Sequence, residues 1–242
     1  MKYCIVYGSP RKKNTYDAVQ IVKERLAALG QAEFTEFYLP KDLPHFCTGC
    51  FTCFEKAEEK CPHHEYTEPI KHAMLEADGV IFSSPVYVME MAAPMKNMLD
   101  HFGYFFMAHR PRREMFSKSA LIVSTTAGAG TKYAMNGIAR SLSFWGISHI
   151  YRCGITFWAA GFKDMKESRR IKAEHSLKRA AERLYKSIKK DSAPSIRTKG
   201  MFYIMRQSVF GFANNPADRM YWAEQGWEHG GTPWNQIKGK QK

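Results

Sequence analysis

The chain has 242 residues, an apolar fraction of 45% and an aromatic fraction of 14%. This length suits one sizeable α/β domain with an extension, and this composition is typical of a globular protein and excludes a disordered one. No run of residues approaches the roughly 20 apolar residues of a membrane span, and the apolar run before Gly8 is too short for the core of a signal peptide. We therefore expect a cytoplasmic protein with no integral membrane span.

The formal net charge of +13 is concentrated late in the chain, where residues 163–199 contain 13 Lys or Arg and 5 acidic residues. A solvated basic helix is the first interpretation of this excess, and a basic entrance that attracts phosphorylated cofactors is the second. No nucleic-acid-binding motif accompanies the charge, so we do not expect nucleic acid as a partner.

Segments with the pattern of strands and helices alternate along the chain. The predicted strands cover residues 2–7, 32–39, 79–84, 119–126 and 147–158. The predicted helices cover residues 15–29, 65–76, 94–105, 131–145 and 163–190. This alternation predicts an α/β fold, a three-layer sandwich in which helices cover both faces of a five-stranded parallel sheet of order 2-1-3-4-5.

The composition changes after residues 191–195, which indicates that a C-terminal extension follows a domain of residues 1–190. In residues 201–212, apolar side chains recur at helical spacing, and an aromatic-rich stretch follows. We expect residues 191–242 to form a helical and aromatic extension that packs on its own domain or on a partner subunit. A membrane-surface helix and a lid over the active site are the alternatives.

The segment GSPRKKNT, residues 8–15, joins the first strand to the first helix. It therefore lies at the carboxyl edge of the sheet, where the unpaired N–H groups and the positive dipole end of a helix favour an anion. Ser9 and Thr15 supply hydroxyl groups and Asn14 supplies an amide, while Arg11 adds a charged fork that suits phosphate. The glycine sets of the dinucleotide and P-loop motifs are missing, so the segment predicts a phosphate cradle built from side chains.

Two further loops belong to the same edge of the predicted sheet. SSPVYVMEMAAPMKNMLD, residues 83–100, follows the third strand, and STTAGAGTK, residues 124–132, follows the fourth. In this strand order the first and third strands flank the switch point at which ligands bind. The stiff apolar segment 85–88 suits a flat ring, and the small residues Ala127 and Gly128 let backbone approach a ring edge. The three loops together predict a phosphate end and a flat-ring end for one ligand.

GSPRKKNT, SPVYVMEMAAPMKNMLD and the TTAGAG loop together resemble the NAD(P)H-dependent FMN reductase and flavodoxin-like oxidoreductase family. The resemblance covers about residues 1–190 and implies a flavodoxin-like fold, FMN as cofactor, NAD(P)H as electron donor and a homodimer or higher homo-oligomer. It implies that the FMN phosphate is held by Ser9, Arg11, Asn14 and Thr15. It also implies that the flavin ring lies against Pro85, Val86, Tyr87, Val88, Ala127 and Gly128.

The resemblance further implies an NAD(P)H-dependent flavin oxidoreductase that passes electrons through FMN to a small-molecule acceptor such as a quinone, a flavin, or a nitro or azo compound. Hydride transfer to flavin requires alignment, exclusion of water and hydrogen bonds to the ring, so we expect no catalytic side chain. A flavodoxin-type electron carrier is one alternative, although such carriers are usually acidic. A zinc- or Cys-based binding module that has lost flavin is another.

Four of the six cysteines form one cluster with the spacing C-x2-C-x2-C-x7-C, made of Cys47, Cys50, Cys53 and Cys61. In a cytosolic chain this density indicates a metal, an iron–sulfur cluster or redox chemistry rather than structural disulfides. Four thiolates at such spacing can hold a [4Fe–4S] cluster, and the loop resembles the compact motif of iron–sulfur flavoproteins. Vestigial or redox thiols are an alternative, as is zinc, for which His63 and His64 lie close by. We expect Cys4 and Cys153 to be inert core thiols.

Overall fold

The computed structural model describes residues 1–191, 193–212 and 215–237, so part of the predicted extension lies outside the described residues. Its strands are β1 (Lys2–Tyr7), β2 (Glu33–Tyr38), β3 (Gly79–Tyr87), β4 (Glu90–Met91), β5 (Ser119–Thr126) and β6 (His149–Thr156). The five long strands are parallel and lie in the order β2-β1-β3-β5-β6. Counted along the chain without β4, this is the predicted order 2-1-3-4-5, and the predicted α/β sandwich is confirmed.

The sheet has one strand more than predicted, because β3 continues to Tyr87 and the chain then turns back as the short antiparallel strand β4. In this hairpin Tyr87 pairs with Glu90, and the two residues between them, Val88 and Met89, have positive φ angles of 48° and 66°. A two-residue type I′ turn requires positive φ at both positions, which favours Asn-Gly. The Val-Met pair carries no such signal, so the sequence does not predict this hairpin.

The helices of the described residues are α1 (Asn14–Leu29), α2 (Thr52–Glu55), α3 (His64–Glu76), α4 (Ala93–His101), α5 (Thr131–Phe144), α6 (Glu167–Lys189), α7 (Ile196–Gln207), α8 (Pro216–Glu224) and α9 (Pro233–Ile237). The first five predicted helices correspond to α1, α3, α4, α5 and α6. The last of these begins four residues later than predicted, because residues 162–164 form a 3-10 turn. None of the described helices combines the length and the apolar character that a membrane span requires.

Helices cover both faces of the sheet, which explains the continuous apolar runs in its central strands. Phe82 and Ile122 are fully buried on one face, in a core that includes side chains of α3, α4 and α5. Ile81 and Leu121 are fully buried on the other face, with side chains of α1 and α6. The two faces of the sheet are therefore covered, and its carboxyl edge carries the loops that follow the strands.

The C-terminal helices enclose an aromatic cluster in which Phe202, Trp222 and Trp227 are fully buried. The rings of Phe202 and Trp222 stack with their centroids 4.9 Å apart. Met107 and Phe116, from the connection between α4 and β5, belong to the same cluster. The extension thus packs on the α/β domain of its own chain, which is one of the arrangements expected from the sequence.

Candidate functional site

The carboxyl ends of β3 and β5 and the loops that follow β1, β5 and β6 surround one cavity of about 320 Å³ at the carboxyl edge of the sheet. These loops meet because β1 and β5 both pair with β3. The predicted site residues that line this edge cavity are Ser9, Arg11, Asn14, Thr15, Pro85, Val86, Tyr87 and Ala127. Val88 and Gly128, also predicted, follow lining residues in the chain but do not themselves line the cavity.

One end of the edge cavity is built on the N-terminus of α1. This helix begins at Asn14, and Lys13 before it provides no side-chain cap, so the first N–H groups of the helix remain available to an anion. Ser9 Oγ accepts a hydrogen bond from the backbone N–H of Arg11 at 3.3 Å, which holds the loop in a tight turn. No carboxylate is among the described residues that line the cavity. The charge and the donors at this end fit a phosphate group.

Two of the predicted phosphate ligands also hold the walls of the cavity together. Thr15 Oγ1 lies 2.6 Å from Thr125 Oγ1, which joins the start of α1 to the end of β5. The hydroxyl that accepts in such a pair keeps its own proton for another acceptor. Asn14 Nδ2 donates to the carbonyl oxygen of Ala160 at 2.9 Å and so fixes the loop after β6 against the cavity.

Lys12 and Lys13 are adjacent in sequence but are placed differently. Lys13 lines the edge cavity, whereas Lys12 Nζ lies 5.5 Å from the ring centroid of Tyr16 and 5.4 Å from that of Tyr38. Cation–π contacts of this kind direct the Lys12 side chain toward β2. Lys12 is therefore a cationic side chain of this loop that lies outside the cavity. Its substitution can serve as a control for substitutions of Arg11 or Lys13, which line the cavity.

Exposed apolar residues surround the other end of the edge cavity. Tyr87 is 45% exposed, Val88 is 97% exposed, and Trp158, which follows the lining residue Phe157, is 66% exposed. Val88 and Trp158 also have positive φ angles of 48° and 50°, which are outliers for β-branched or bulky residues. Strained backbone and exposed apolar surface occur together where a ligand or a partner is bound. This end of the cavity fits an apolar ring.

Two glycines are required by close packing around the edge cavity. Gly8 donates its N–H to the carbonyl oxygen of Ser83 at 2.7 Å, and a Cβ at this position would lie 3.0 Å from Met95 Cβ. Gly130 has a φ of 103°, and a Cβ there would lie 2.6 Å from Val86 Cγ1 in the cavity wall. Larger residues at either position would displace the loops that form the cavity.

A second cavity, of about 290 Å³, is lined by all four cysteines of the predicted cluster, Cys47, Cys50, Cys53 and Cys61. Cys47 and Cys50 are exposed, and Cys53 and Cys61 are half-buried. His63, Asp100 and His101 also line this cysteine cavity. By contrast Cys4 and Cys153 are buried in the two cores of the sheet, as predicted.

The thiols of the cysteine cavity influence one another. Burial, reinforced by charge on Cys61 and Cys47, raises the pKa of the Cys53 thiol to about 11. Burial also raises the pKa of the Cys61 thiol, whereas hydrogen bonds from Thr52 lower the pKa of the exposed Cys50 thiol. Within the described residues, no three His, Cys, Asp or Glu side chains lie close enough to hold a single metal ion, which a zinc site would need. A [4Fe–4S] cluster is larger than one metal ion and would be bound by thiolates arranged around a cavity.

The cysteine loop is attached to α4, the helix that follows the hairpin of the edge cavity. Asn97 of α4 accepts a hydrogen bond from the Cys47 N–H and donates one to the carbonyl oxygen of His45, both at 2.8 Å. His101 Nε2 lies 3.0 Å from His63 Nδ1, and burial lowers the pKa of both histidines, which favours their neutral forms. Asp100 and His101 of α4 thus line the cysteine cavity, and the same helix follows the hairpin whose first strand lines the edge cavity.

A buried charge network connects the cysteine loop to the extension. Glu58 lies between Cys53 and Cys61 in sequence, and its Oε2 is 3.6 Å from Arg110 Nη1. Arg110 Nε in turn is 3.7 Å from Asp218 Oδ1 in α8, and Glu58, Arg110 and Asp218 are all buried. Arg112 also pairs with Glu58. No sequence pattern marks this network, because its members come from three separate segments.

A doubly wound parallel sheet with a cavity at the switch point between β1 and β3 defines a flavodoxin-like α/β fold. A family model described as NADPH-dependent FMN reductase matches residues 1–152. The chain therefore belongs to the NADPH-dependent FMN reductase family. This membership confirms the predicted enzyme class, an NAD(P)H-dependent flavin oxidoreductase.

Individual proteins that are similar to this chain are also flavoproteins or oxidoreductases. An iron–sulfur flavoprotein of Archaeoglobus fulgidus is 28% identical over 177 residues, which cover 71% of this chain and 77% of the relative. An iron–sulfur flavoprotein of Methanocaldococcus jannaschii is 33% identical over 100 residues, 41% of this chain and 50% of the relative. The solved structure of an NAD(P)H:quinone oxidoreductase from Methanothermobacter marburgensis aligns with 76% of this chain and 97% of its own length, with a TM-score of 0.58 and 17% identity. That likeness shows the flavodoxin-like fold.

Proposed function

We propose that the edge cavity binds FMN and that the protein passes electrons from a reduced nicotinamide through FMN to a small-molecule acceptor. The observation that supports this most directly is the polarity of the cavity. One end combines Arg11, Lys13 and the uncapped N-terminus of α1 with no lining carboxylate among the described residues, and the other end is apolar. This is the distribution of charge that a phosphorylated flat ring requires.

In this proposal the chain binds and orients the cofactor, which when bound supplies the hydride-accepting and electron-donating chemistry. Ser9, Arg11, Asn14 and Thr15 hold the phosphate, as the resemblance implies, and Asn14 also anchors the loop at Ala160. The segment 85–87 and Ala127 align the ring, while Val88 and Gly128 contact its edge from just outside the cavity wall. No side chain is assigned an acid or base role.

The phosphate assignment is tested by FMN retention in three variants of the full chain. Arg11→Gln and Ser9→Ala each remove one donor, and a lost charge-assisted hydrogen bond costs about 1.5 to 3 kcal/mol, roughly a 10- to 150-fold loss of affinity for Arg11→Gln. Lys12→Gln removes the neighbouring charge that lies outside the cavity and should leave FMN affinity nearly unchanged. Fluorescence titration with FMN measures all three. Equal affinities of wild type and Arg11→Gln would reject the phosphate assignment.

The acceptor is a small molecule, and a quinone is the first compound to test because a quinone reductase is among the proteins that share this fold. The FMN-loaded protein should oxidise NADPH or NADH in the presence of a quinone without any second protein. Free flavin and a nitro or azo compound are the parallel substrates. Activity that requires an added reductase would instead indicate a flavodoxin-type carrier.

We also propose that Cys47, Cys50, Cys53 and Cys61 hold a [4Fe–4S] cluster, from which electrons leave one at a time. Their position around one cavity supports this, as do the two relatives named iron–sulfur flavoproteins. Protein purified without oxygen should contain about four iron atoms per chain, and Cys50→Ser should lose most of them, whereas Cys153→Ala should not. Iron-free protein that sulfide and iron cannot reconstitute would leave the cysteines as free thiols.

The exposed apolar residues at the edge cavity, Tyr87, Val88 and Trp158, form an apolar rim. This rim supports the homodimer that the resemblance implies. Trp158 is 66% exposed beside the edge cavity, whereas Ile171, on α6, is 57% exposed. If the rim is a subunit interface, Trp158→Ser should shift the sedimentation coefficient toward that of a monomer, and Ile171→Ser should not. A monomeric wild type would contradict this arrangement.

A further inference from the structure

A third cavity, of about 440 Å³, lies among α5, β6 and α7. Its lining includes Ile147 and Ser148, which immediately precede the first residue of β6, His149. Because β6 runs parallel to β5, the start of β6 lies at the amino edge of the sheet. The cavity is therefore across the sheet from the edge cavity, and a molecule bound in it could not exchange a hydride with a flavin held there.

Three arginines from three different elements line this cavity. Arg140 belongs to α5, Arg152 to β6 and Arg197 to α7, and all three are exposed. None of them forms an ion pair with a carboxylate of the described residues, and none of the described lining residues is acidic. Like charges brought together without a counter-charge repel one another, so the arrangement is most stable with an anion among them.

The arginine cavity is held in shape by a cluster of hydroxyl groups. Ser148 Oγ donates to Thr198 Oγ1 at 2.8 Å and accepts the N–H of Ser195 at 3.0 Å. Ser195 Oγ caps α7 by accepting the N–H of Thr198 at 3.2 Å, and Thr198 is buried. These bonds fix the first turn of α7, which carries Arg197, to the start of β6, the strand that carries Arg152. The cationic groups thus project from packed elements instead of a free loop.

Part of the remaining cavity wall is apolar, and the side chains of Asn136, Ser143, Ser148, Ser195 and Thr198 form its polar part. Phe144, Ile147, Ile150 and Met201 line it together with the arginines. An inorganic anion would satisfy the guanidinium groups but would leave this wall in water. A ligand that carries both phosphate groups and a flat or apolar body would contact both parts of the cavity, whose volume lies within the usual range for small-molecule sites.

We propose that this cavity is a binding site for a phosphorylated small molecule with a flat organic body, in chemical class a nucleotide. Guanidinium groups bind phosphate oxygens in bidentate geometry, and three of them can neutralise a diphosphate. The site is separate from the proposed FMN site, and its existence does not depend on that assignment.

The test is calorimetric titration of the FMN-loaded full chain with ADP and, in parallel, with inorganic pyrophosphate. Arg152→Gln and Arg197→Gln should each weaken ADP binding about tenfold or more, since each removes a charge-assisted contact. Arg179→Gln is the matched control, because Arg179 is also exposed and lies on α6 outside the cavity. ADP should bind more tightly than pyrophosphate because of the apolar wall.

Four results would overturn the proposal. Wild-type protein that does not bind ADP excludes the site, and an equal loss in Arg179→Gln shows that only overall charge matters. A loss of ADP binding in Arg11→Gln, which alters the proposed FMN phosphate cradle, would place the nucleotide in the edge cavity. ADP that binds no more tightly than pyrophosphate would exclude a role for the apolar wall and hence the nucleotide. Melting temperatures of the variants, measured alongside, distinguish lost binding from lost folding.

Discussion

Val88 holds its backbone in the left-handed region at a φ of 48°, although its side chain is β-branched and almost fully exposed. Such a conformation costs about 1 to 2 kcal/mol, and Asn tolerates it better because its short side chain can hydrogen-bond locally. We predict that Val88→Asn raises the free energy of unfolding by about 1 kcal/mol. Denaturation in urea measures the change.

The control for this prediction is Val88→Thr, which keeps the branched Cβ while it also replaces an apolar group by a polar one. It should leave the free energy of unfolding nearly unchanged. If Thr and Asn stabilise equally, the effect comes from removing an exposed apolar group and not from relief of backbone strain.

At the scale of single residues, the sequence predicts the parts of the site that follow strands within one loop. Ser9, Arg11 and Pro85 can be placed this way because the carboxyl end of a parallel strand always faces the same edge of the sheet. Phe157 and Ala160 also line the edge cavity, but they depend on how far β6 extends and how the next loop folds back. Those are tertiary features that no local pattern carries.

Glu58 links the element that carries the cysteines to the extension, and its removal should destabilise both. Glu58→Gln removes the one carboxylate that pairs with Arg112 among the described residues, whereas Arg110 keeps Asp218 and Lys71 keeps Glu68. Loss of one partner from a buried ion pair costs about 3 to 5 kcal/mol. The neighbouring Glu59 is exposed, so Glu59→Gln should have little effect. Urea denaturation of the two variants measures the difference in their free energies of unfolding. Similar stabilities would show that the network contributes little.

The same carboxylate predicts sensitivity to acid. Burial raises the pKa of Glu58, but the charges of Arg112, Lys71 and Arg110 together lower it by more than burial raises it. The pKa therefore lies below its ordinary value of 4.5. A lowered pKa in the folded state means that this stabilisation is complete above about pH 4.5 and is lost as the pH falls through the folded pKa. Below pH 4.5 the wild type should therefore lose stability more steeply than Glu58→Gln. Parallel pH profiles would contradict this.

At the scale of elements, local signals predict helices better than they predict the hairpin. α7 begins at Ile196 after Ser195, whose side chain accepts the Thr198 N–H as an N-cap should. β4 depends on two residues with positive φ that are neither Gly nor Asn, so the turn is imposed by the surrounding structure.

For the whole molecule, we propose that residues 1–190 form the FMN-binding domain and that the described part of residues 191–242 extends its core. Trp222 illustrates the connection, since its Nε1 donates to the carbonyl oxygen of His109 at 2.6 Å and its ring is fully buried. Trp222→Ala should lower the free energy of unfolding by about 3 to 5 kcal/mol and shift one cooperative transition as a whole. Calorimetry tests this.

Met220, 63% exposed on the same helix, provides the control, and Met220→Ala should leave the transition in place. If Trp222→Ala instead removes a separate transition and leaves a second one unchanged, the extension folds on its own. Sequence composition predicts that an extension exists. Its docking on Met107 and Phe116 could not be predicted, because those contacts join segments about 100 residues apart.

The central claim is that the edge cavity holds FMN and that a reduced nicotinamide reduces it. The most direct test is the absorbance spectrum of protein purified without oxygen, recorded before and after NADPH is added. We predict flavin bands that NADPH bleaches, and a broad background beneath them if the cysteine cavity holds a cluster. A colourless protein that cannot be reconstituted with FMN would contradict the claim.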